Sequence, residues 1–111
     1  SDVSHFSIHH PSRTYDGNPK HPSAGEEQYI AIMDLSKSEA TKALIQGVYV
    51  EGLNEIYCYY SEKFYVFRHH LEGVYHGYKV HNFHQSNRKK ILQAMLDEEL
   101  IDDKIYREFI S

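Results

Sequence analysis

The sequence predicts an α+β fold, a small antiparallel sheet with one helix before it and a helix pair after it. A chain of 111 residues, 41% of them hydrophobic, suits a single domain with one core. Apolar residues recur with a period of two through the middle of the chain and at helical spacing on either side. The strand-like runs are separated only by short turns, which is typical of antiparallel strands.

The first 28 residues are predicted to be a loop-rich N-terminal segment of this single domain, which spans residues 1–111. They contain all three prolines of the chain, together with Gly17 and Gly25. That composition favours loops and extended segments over regular structure. A short apolar strand is predicted to follow over residues 29–34.

One amphipathic helix is predicted after that strand. Ser36, followed three residues later by Glu39, forms a capping box, and Gly47 supplies a helix stop. The apolar residues at helical spacing between these signals are Ala40, Ala43 and Leu44. Their small side chains form a narrow face that suits close packing on a sheet.

A meander of three strands is predicted next, over residues 55–60, 63–70 and 74–80. The first two runs are separated by Ser61-Glu62 and form a hairpin, and a turn around Glu72-Gly73 leads to the third. Alternate residues of a strand share a face. One face of the second strand carries Phe64, Val66, Arg68 and His70, and one face of the third carries Val74, His76, Tyr78 and Val80.

Two helices are predicted to close the domain. Ser86 is expected to cap a helix over residues 87–98, and a second helix is expected to begin at Asp102 or Asp103. The residues predicted to be buried are Ile91, Leu92, Met95 and Leu96 in the first helix and Ile105, Tyr106, Phe109 and Ile110 in the second.

Charge and composition restrict the function. The formal net charge is −4, which argues against holding nucleic acid through a large positive surplus but leaves a nuclease open. No run approaches the roughly 20 apolar residues of a membrane span, and the N-terminus lacks the pattern of a secretory signal. The single cysteine, Cys58, is expected to be a buried structural thiol.

His76 and Tyr78 form the most informative pair of the sequence. They are two residues apart in a predicted strand, so both side chains point to the same face, with Gly77 between them. A strand interior keeps a glycine mainly where something approaches the backbone closely or a bulge re-aims a side chain. The sequence therefore predicts a candidate acid/base site beside an open patch of main chain.

Several motifs of the chain carry a resemblance to a known family. They are Ala40 to Ile45, Tyr65-Val66-Phe67-Arg68, Tyr75-His76-Gly77-Tyr78-Lys79-Val80, Ile91-Leu92-Gln93-Ala94-Met95 running on to Ile101, Tyr106 and Ile110, and upstream Asn18-Pro19-Lys20-His21-Pro22. Together they resemble the C-terminal toxin domains of bacterial polymorphic toxins, found at the ends of Rhs, LXG and contact-dependent inhibition proteins. Tyr75, Lys79 and Glu99 stand where that family has tryptophan, proline and glycine, which would make this chain a divergent member.

The resemblance implies a small cytotoxic ribonuclease that needs no metal and no cofactor, with a barnase/EndoU/colicin-like fold and RNA, tRNA included, as substrate. It also implies a cognate immunity protein as partner. Such a domain is delivered from the producing bacterium as part of a larger toxin and acts in the cytoplasm of the target cell. No membrane is expected to interact with this domain.

Metal-independent RNA cleavage needs a base, an acid and a cation or donor for the phosphorane charge. Histidine serves both proton-transfer roles near neutral pH. Under the resemblance, His76 and His21 are expected to form the acid/base pair, and Arg68 to supply charge to the phosphate. Tyr78 is expected to donate a hydrogen bond or stack on a base. His70 is added to the site because it shares the face of Arg68.

Two other functions stay open. Nine histidines fit a metal-dependent nuclease, for which His81 and His84 are the best local pair. A non-enzymatic immunity or binding protein would instead hold a basic partner through an acidic surface. The remaining strand tyrosines, Tyr57, Tyr59, Tyr60 and Tyr65, are expected to be sheet core more than a platform for stacking RNA bases.

Overall fold

The structure is a computed structural model that describes residues 13–17 and 21–111. The elements of this part are β1 (Thr14–Tyr15), β2 (Ile30–Ile32), α1 (Lys37–Gln46), β3 (Val48–Val50), β4 (Glu55–Tyr60), β5 (Lys63–Leu71), β6 (Val74–Val80), α2 (Gln85–Asp97) and α3 (Asp103–Phe109). The six strands form one sheet in the order β3-β4-β5-β6, and both β1 and β2 pair with β6. The predicted α+β class is confirmed.

The meander of β4, β5 and β6 matches the predicted strands closely. Neighbouring strands are antiparallel. The two residues of the first turn, Ser61 and Glu62, have φ angles of 51° and 65°. Positive φ at both central residues is the signature of the type I′ turn, whose twist matches that of the strands it joins. The next turn uses Gly73, also at positive φ.

The N-terminal segment contains a strand that the sequence analysis did not predict. β1 runs parallel to the start of β6, with Thr14 opposite Val74. Just before it, Nη1 of Arg13 donates hydrogen bonds to the backbone carbonyls of Leu44 and Gly47, at 2.8 and 3.0 Å. These carbonyls lie at the end of α1 and at its C-cap, where backbone acceptors are left without full helical pairing. Arg13 thereby ties the N-terminal segment to the body of the domain.

α1 confirms the capping box. The Glu39 backbone N–H donates to Oγ of Ser36 at 3.2 Å, and the Ser36 hydroxyl donates to the Glu39 carboxylate at 3.1 Å. Gly47 ends the helix as predicted, but its φ of −68° is open to any residue. A β-carbon at Gly47 would lie 2.6 Å from Cγ2 of Ile56 and 2.9 Å from the carbonyl oxygen of Tyr57. Close packing on the sheet therefore explains this glycine.

The sheet buries both faces. The face toward α1 holds the cluster Tyr15, Ala40, Ala43, Leu44, Ile56, Cys58, Tyr65, Phe67 and Tyr75. The face toward α2 and α3 holds Ile30, Val50, Tyr57, Phe64, Val66, Tyr78, Val80, Phe83, Ile91, Leu92, Met95 and Ile101. Cys58 is buried as predicted, and Tyr57 and Tyr65 belong to the core.

The helix pair departs from prediction in two details. α2 begins at Gln85, and its cap is His84, whose Nδ1 accepts a hydrogen bond from the Ser86 backbone N–H at 3.2 Å. The predicted cap at Ser86 is wrong because the preceding imidazole takes that role. Asp102 caps α3 as predicted. Of the residues predicted to be buried, Phe109 is 38% exposed, with an edge-on ring contact to Phe64, and Leu96, Ile105, Tyr106 and Ile110 are only partly buried.

None of the helices in the described ranges has the length and apolar content that crossing a bilayer requires.

Candidate active site

The candidate residues of β5 and β6 lie on the face of the sheet that α2 and α3 cover. Arg68 lies opposite His76 in the β5–β6 ladder, and Val66 lies opposite Tyr78. The buried cluster under the helix pair includes Val66 and Tyr78 but neither Arg68 nor His76. Arg68 and His76 each lie two residues along their strand from a member of this apolar cluster.

A break in strand register brings His70 against His76. The pairing slips between His69 and Leu71, so His70 is the extra residue of a β-bulge. A bulge bends its strand and re-aims a side chain. The imidazole of His70 lies over that of His76, with ring centroids 4.3 Å apart and planes inclined by 48°. His70 is exposed, whereas His76 is only 9% exposed.

Asp16 is the third member of this cluster, and it was not among the site residues predicted from the sequence. Its backbone N–H donates a 2.8 Å hydrogen bond to the carbonyl of Tyr75, which continues the pairing of β1 with β6. Its Oδ2 lies 3.6 Å from Nδ1 of His76. No local signal marked Asp16, because the two-residue strand that places it is defined by pairing with a distant segment.

Arg68 is held by two carboxylates. Its Nε lies 2.6 Å from Oε2 of Glu55, and its Nη1 lies 2.9 Å from Oε2 of Glu26. Burial opposes the charge of Arg68, but the two carboxylates outweigh it and raise its pKa. Burial likewise would raise the pKa of Glu26, but the nearby Arg68 lowers it. An incoming phosphate therefore has to share Arg68 with these acids.

Tyr78 lies beneath Arg68. The guanidinium carbon of Arg68 is 5.4 Å from the centroid of the Tyr78 ring, within the range of a cation–π contact. Only 9% of Tyr78 is exposed. Its ring therefore supports Arg68, and stacking of a nucleobase on that side requires Arg68 to move.

A cavity of about 280 Å³ opens beside Arg68, between the sheet and the beginning of α2. Its polar lining includes Glu26, Glu55, Arg68, Asn82 and Asn87. This volume is close to the lower end of small-molecule pockets, and a few placed polar groups on an apolar wall are typical of such sites.

The other predicted histidines lie elsewhere. His21 is exposed in the segment before β2, and the imidazole packed on His76 is that of His70. His81 is exposed after β6, and Nδ1 of His84 is engaged at the cap of α2. Residues Asn18 to Lys20 of the motif around His21 lie outside the described residues.

The assembled groups support two kinds of chemistry. Two imidazoles in contact, with a carboxylate beside one of them, can transfer protons, and a guanidinium nearby can bind anionic charge. Asp16, His70 and His76 also present donor atoms that all lie within 4.8 Å of one another, which is compatible with a metal ion.

Comparisons of the chain with family models, with curated proteins and with solved structures found no match.

Proposed function

We propose that this domain is an endoribonuclease that cleaves RNA by metal-independent acid/base catalysis. The observation that carries the proposal is the contact between the tilted imidazole rings of His70 and His76, with Asp16 near Nδ1 of His76. Histidine is the side chain that both accepts and releases a proton near neutral pH. The family resemblance of the His76-Gly77-Tyr78 motif is consistent with this chemistry.

In the proposed reaction, His76 is the base and His70 is the acid. His76 takes the proton of a ribose 2′-hydroxyl, and the 2′-oxygen attacks the adjacent phosphorus. The bond from phosphorus to the 5′-oxygen breaks, and His70 gives that oxygen a proton. The products are a 2′,3′-cyclic phosphate and a free 5′-hydroxyl. Asp16 orients His76 and stabilises the imidazolium that forms.

His76 has to become accessible for this reaction. His70 covers it in the structure, but His70 itself is exposed at the bulged end of β5. We propose that His70 rotates about its Cα–Cβ bond, which would expose the side of the His76 ring that it now contacts. His21 is exposed before β2. Its role as the acid/base partner of His76 stays a prediction, as the alternative to His70.

Arg68 and the adjacent cavity bind the nucleotide in this proposal. Glu55 and Glu26 engage Nε and Nη1 of Arg68, and Nη2 is the donor that we assign to a phosphate oxygen. Tyr78 supports the guanidinium from below. The cavity beside Arg68 then receives a base, whose edges can pair with the amides of Asn82 and Asn87.

The biological setting of the proposal comes from the resemblance. We propose that the domain is the toxic end of a larger protein delivered into competing bacteria, where it degrades RNA in the cytoplasm. A cognate immunity protein protects the producer. Induced expression of the domain in a bacterial host, compared with expression of its His76→Ala variant, tests the toxicity directly.

The test of the activity is incubation of the purified chain with total bacterial RNA and, separately, with plasmid DNA, each with and without EDTA. RNA cleavage that persists in EDTA and falls at least roughly 100-fold in His70→Ala and His76→Ala supports the proposal. His81→Ala, which removes an exposed histidine outside the site, is the matched control and retains activity.

Other outcomes overturn the proposal in distinct ways. Cleavage that EDTA abolishes identifies a metal-dependent nuclease. Full activity in a folded His76→Ala variant, with an unchanged circular dichroism spectrum, removes His76 from the mechanism. Absence of cleavage of either nucleic acid favours the immunity or binding function.

A further inference from the structure

We propose that Asp16, His70 and His76 bind one divalent transition-metal ion, for which Zn²⁺ is the best match. The bound ion inhibits the acid/base site. The binding stands on the geometry of these three residues alone. The inhibition rests on the proposed function, because it requires that His70 and His76 transfer protons.

The donor atoms are close to a metal-binding arrangement. One donor atom from each residue can be chosen so that all three lie within 4.8 Å of one another. Ligands of a tetrahedral zinc ion are about 3.3 Å apart, given bond lengths near 2.0 Å. The 3.6 Å between Oδ2 of Asp16 and Nδ1 of His76 already approaches that separation.

The third ligand is the one that is free to adjust. Asp16 and His76 are held by backbone pairing, since the Asp16 N–H bonds to the carbonyl that precedes His76. His70 stands at a bulge and is exposed. A change of its side-chain rotamer is therefore enough to bring a ring nitrogen to the ion.

The ligand types select the metal. Imidazole nitrogens suit Zn²⁺, Cu²⁺ and Ni²⁺, whereas Mg²⁺ and Ca²⁺ require oxygen ligands. The carboxylates of Glu26 and Glu55 are engaged by the guanidinium of Arg68. Two imidazoles and one carboxylate leave the fourth position of a tetrahedral ion to water.

The bound ion is incompatible with the proposed proton transfer. A neutral imidazole has a single basic nitrogen lone pair, so a ring that binds the ion through one nitrogen carries its hydrogen on the other and cannot accept a proton. With His70 and His76 both bound to the ion, neither the base nor the acid of the proposed reaction is available. Zinc would thereby hold the domain inactive until a chelator or a zinc-poor compartment removes the ion.

Binding is tested without RNA, on the purified full chain freed of metal. Zn²⁺ is titrated by calorimetry, and Co²⁺ is added in parallel because its visible absorption reports tetrahedral coordination. The expected result is one ion per chain, with affinity reduced roughly 10- to 100-fold in Asp16→Asn, His70→Ala and His76→Ala. His81→Ala and His84→Ala are the controls with unchanged affinity.

If the affinity for Zn²⁺ is unchanged in both His70→Ala and Asp16→Asn, the proposed metal site is wrong, because other histidines of the chain then hold the ion. Failure to take up Zn²⁺ or Co²⁺ overturns it as well. His70 is exposed, so its variant keeps the test valid even where His76→Ala fails to fold.

Inhibition is tested separately, by RNA cleavage with and without one equivalent of Zn²⁺ and after EDTA. Loss of cleavage with zinc and recovery with EDTA is the expected result. Unchanged or increased cleavage by the zinc-loaded chain overturns the switch. If no condition yields cleavage, the proposed function and the switch both fail, and the binding titration still decides the metal site.

Discussion

Gly77 lies opposite Phe67 in the β5–β6 ladder, and the Phe67 ring occupies the space where a β-carbon on Gly77 would stand. Such a β-carbon would lie 2.7 Å from Cε1 of Phe67 and 2.4 Å from Cε of Met33. Phe67 is fully buried on the α1 face of the sheet. The close approach predicted at this glycine therefore exists, but core side chains make it. The prediction of an open patch of main chain beside His76 is therefore wrong.

Gly77→Ala is expected to lower the free energy of unfolding by roughly 1–3 kcal/mol, because the added methyl overpacks the core against Phe67. Urea unfolding followed by circular dichroism measures this. Gly17→Ala is the matched control, since its nearest neighbour is the flexible Lys37 side chain at 3.4 Å. Equal urea midpoints for the two variants would contradict the packing account of Gly77.

Asp16→Asn is expected to lower kcat for RNA roughly 10- to 100-fold with little change in KM, because Asp16 acts through His76. The loss should fall on kcat because a residue that orients the base affects the reaction of bound substrate more than substrate binding. A variant with lower stability but an unchanged kcat would show that Asp16 has only a structural role.

Cys58 is expected to resist thiol reagents in the folded domain. It is fully buried, and burial raises the pKa of its thiol to about 11, so little thiolate exists at neutral pH. Ellman's reagent at pH 8 should label the chain only after denaturation in urea. Rapid labelling under native conditions would mean that the α1 face of the sheet opens readily.

Asp34 is expected to contribute to stability in a pH-dependent manner. It accepts a 2.7 Å hydrogen bond from the Tyr65 hydroxyl and lies 3.0 Å from Nζ of Lys63. Burial would raise the pKa of Asp34, but these partners lower it below its usual value. The contribution is present above the unfolded-state pKa of about 3.9 and is lost as pH falls through the lower folded-state value.

Urea midpoints at pH 7 and at successively lower pH check this linkage. Asp34→Asn should be less stable than the parent at pH 7, and the difference should close below about pH 4. Asp97→Asn, on the exposed surface of α2, is the control, and its stability should stay close to that of the parent at every pH. If the difference in stability between Asp34→Asn and the parent persists to the lowest pH, altered packing is its cause.

The turn between β4 and β5 can be improved. Ser61 and Glu62 both adopt positive φ, a conformation that an asparagine followed by a glycine adopts with less strain. The double substitution Ser61→Asn with Glu62→Gly should stabilise the domain by about 0.5–2 kcal/mol. Thermal unfolding measures the gain, and a loss of stability would indicate that the existing side chains make contacts that outweigh the strain.

Local signals in the sequence determined most of the regular structure. Alternation of apolar residues defined β4, β5 and β6, and the capping box with Gly47 defined α1. These signals depend on neighbours within a few residues, where steric preference and hydrogen bonding act directly. The same alternation placed Arg68 and His70 on one face of β5, and His76 and Tyr78 on one face of β6.

Only the tertiary structure decided how the site is assembled. The parallel pairing of β1 with β6 brings Asp16 to His76, and a register slip places His70 over the same ring. Glu26 and Glu55 reach Arg68 from separate segments. Long-range pairing and bulges depend on how whole elements pack, and a two-residue strand such as β1 carries no periodic pattern of its own. The sequence alone thus determined which residues share a face within each strand, and packing decided which of them meet.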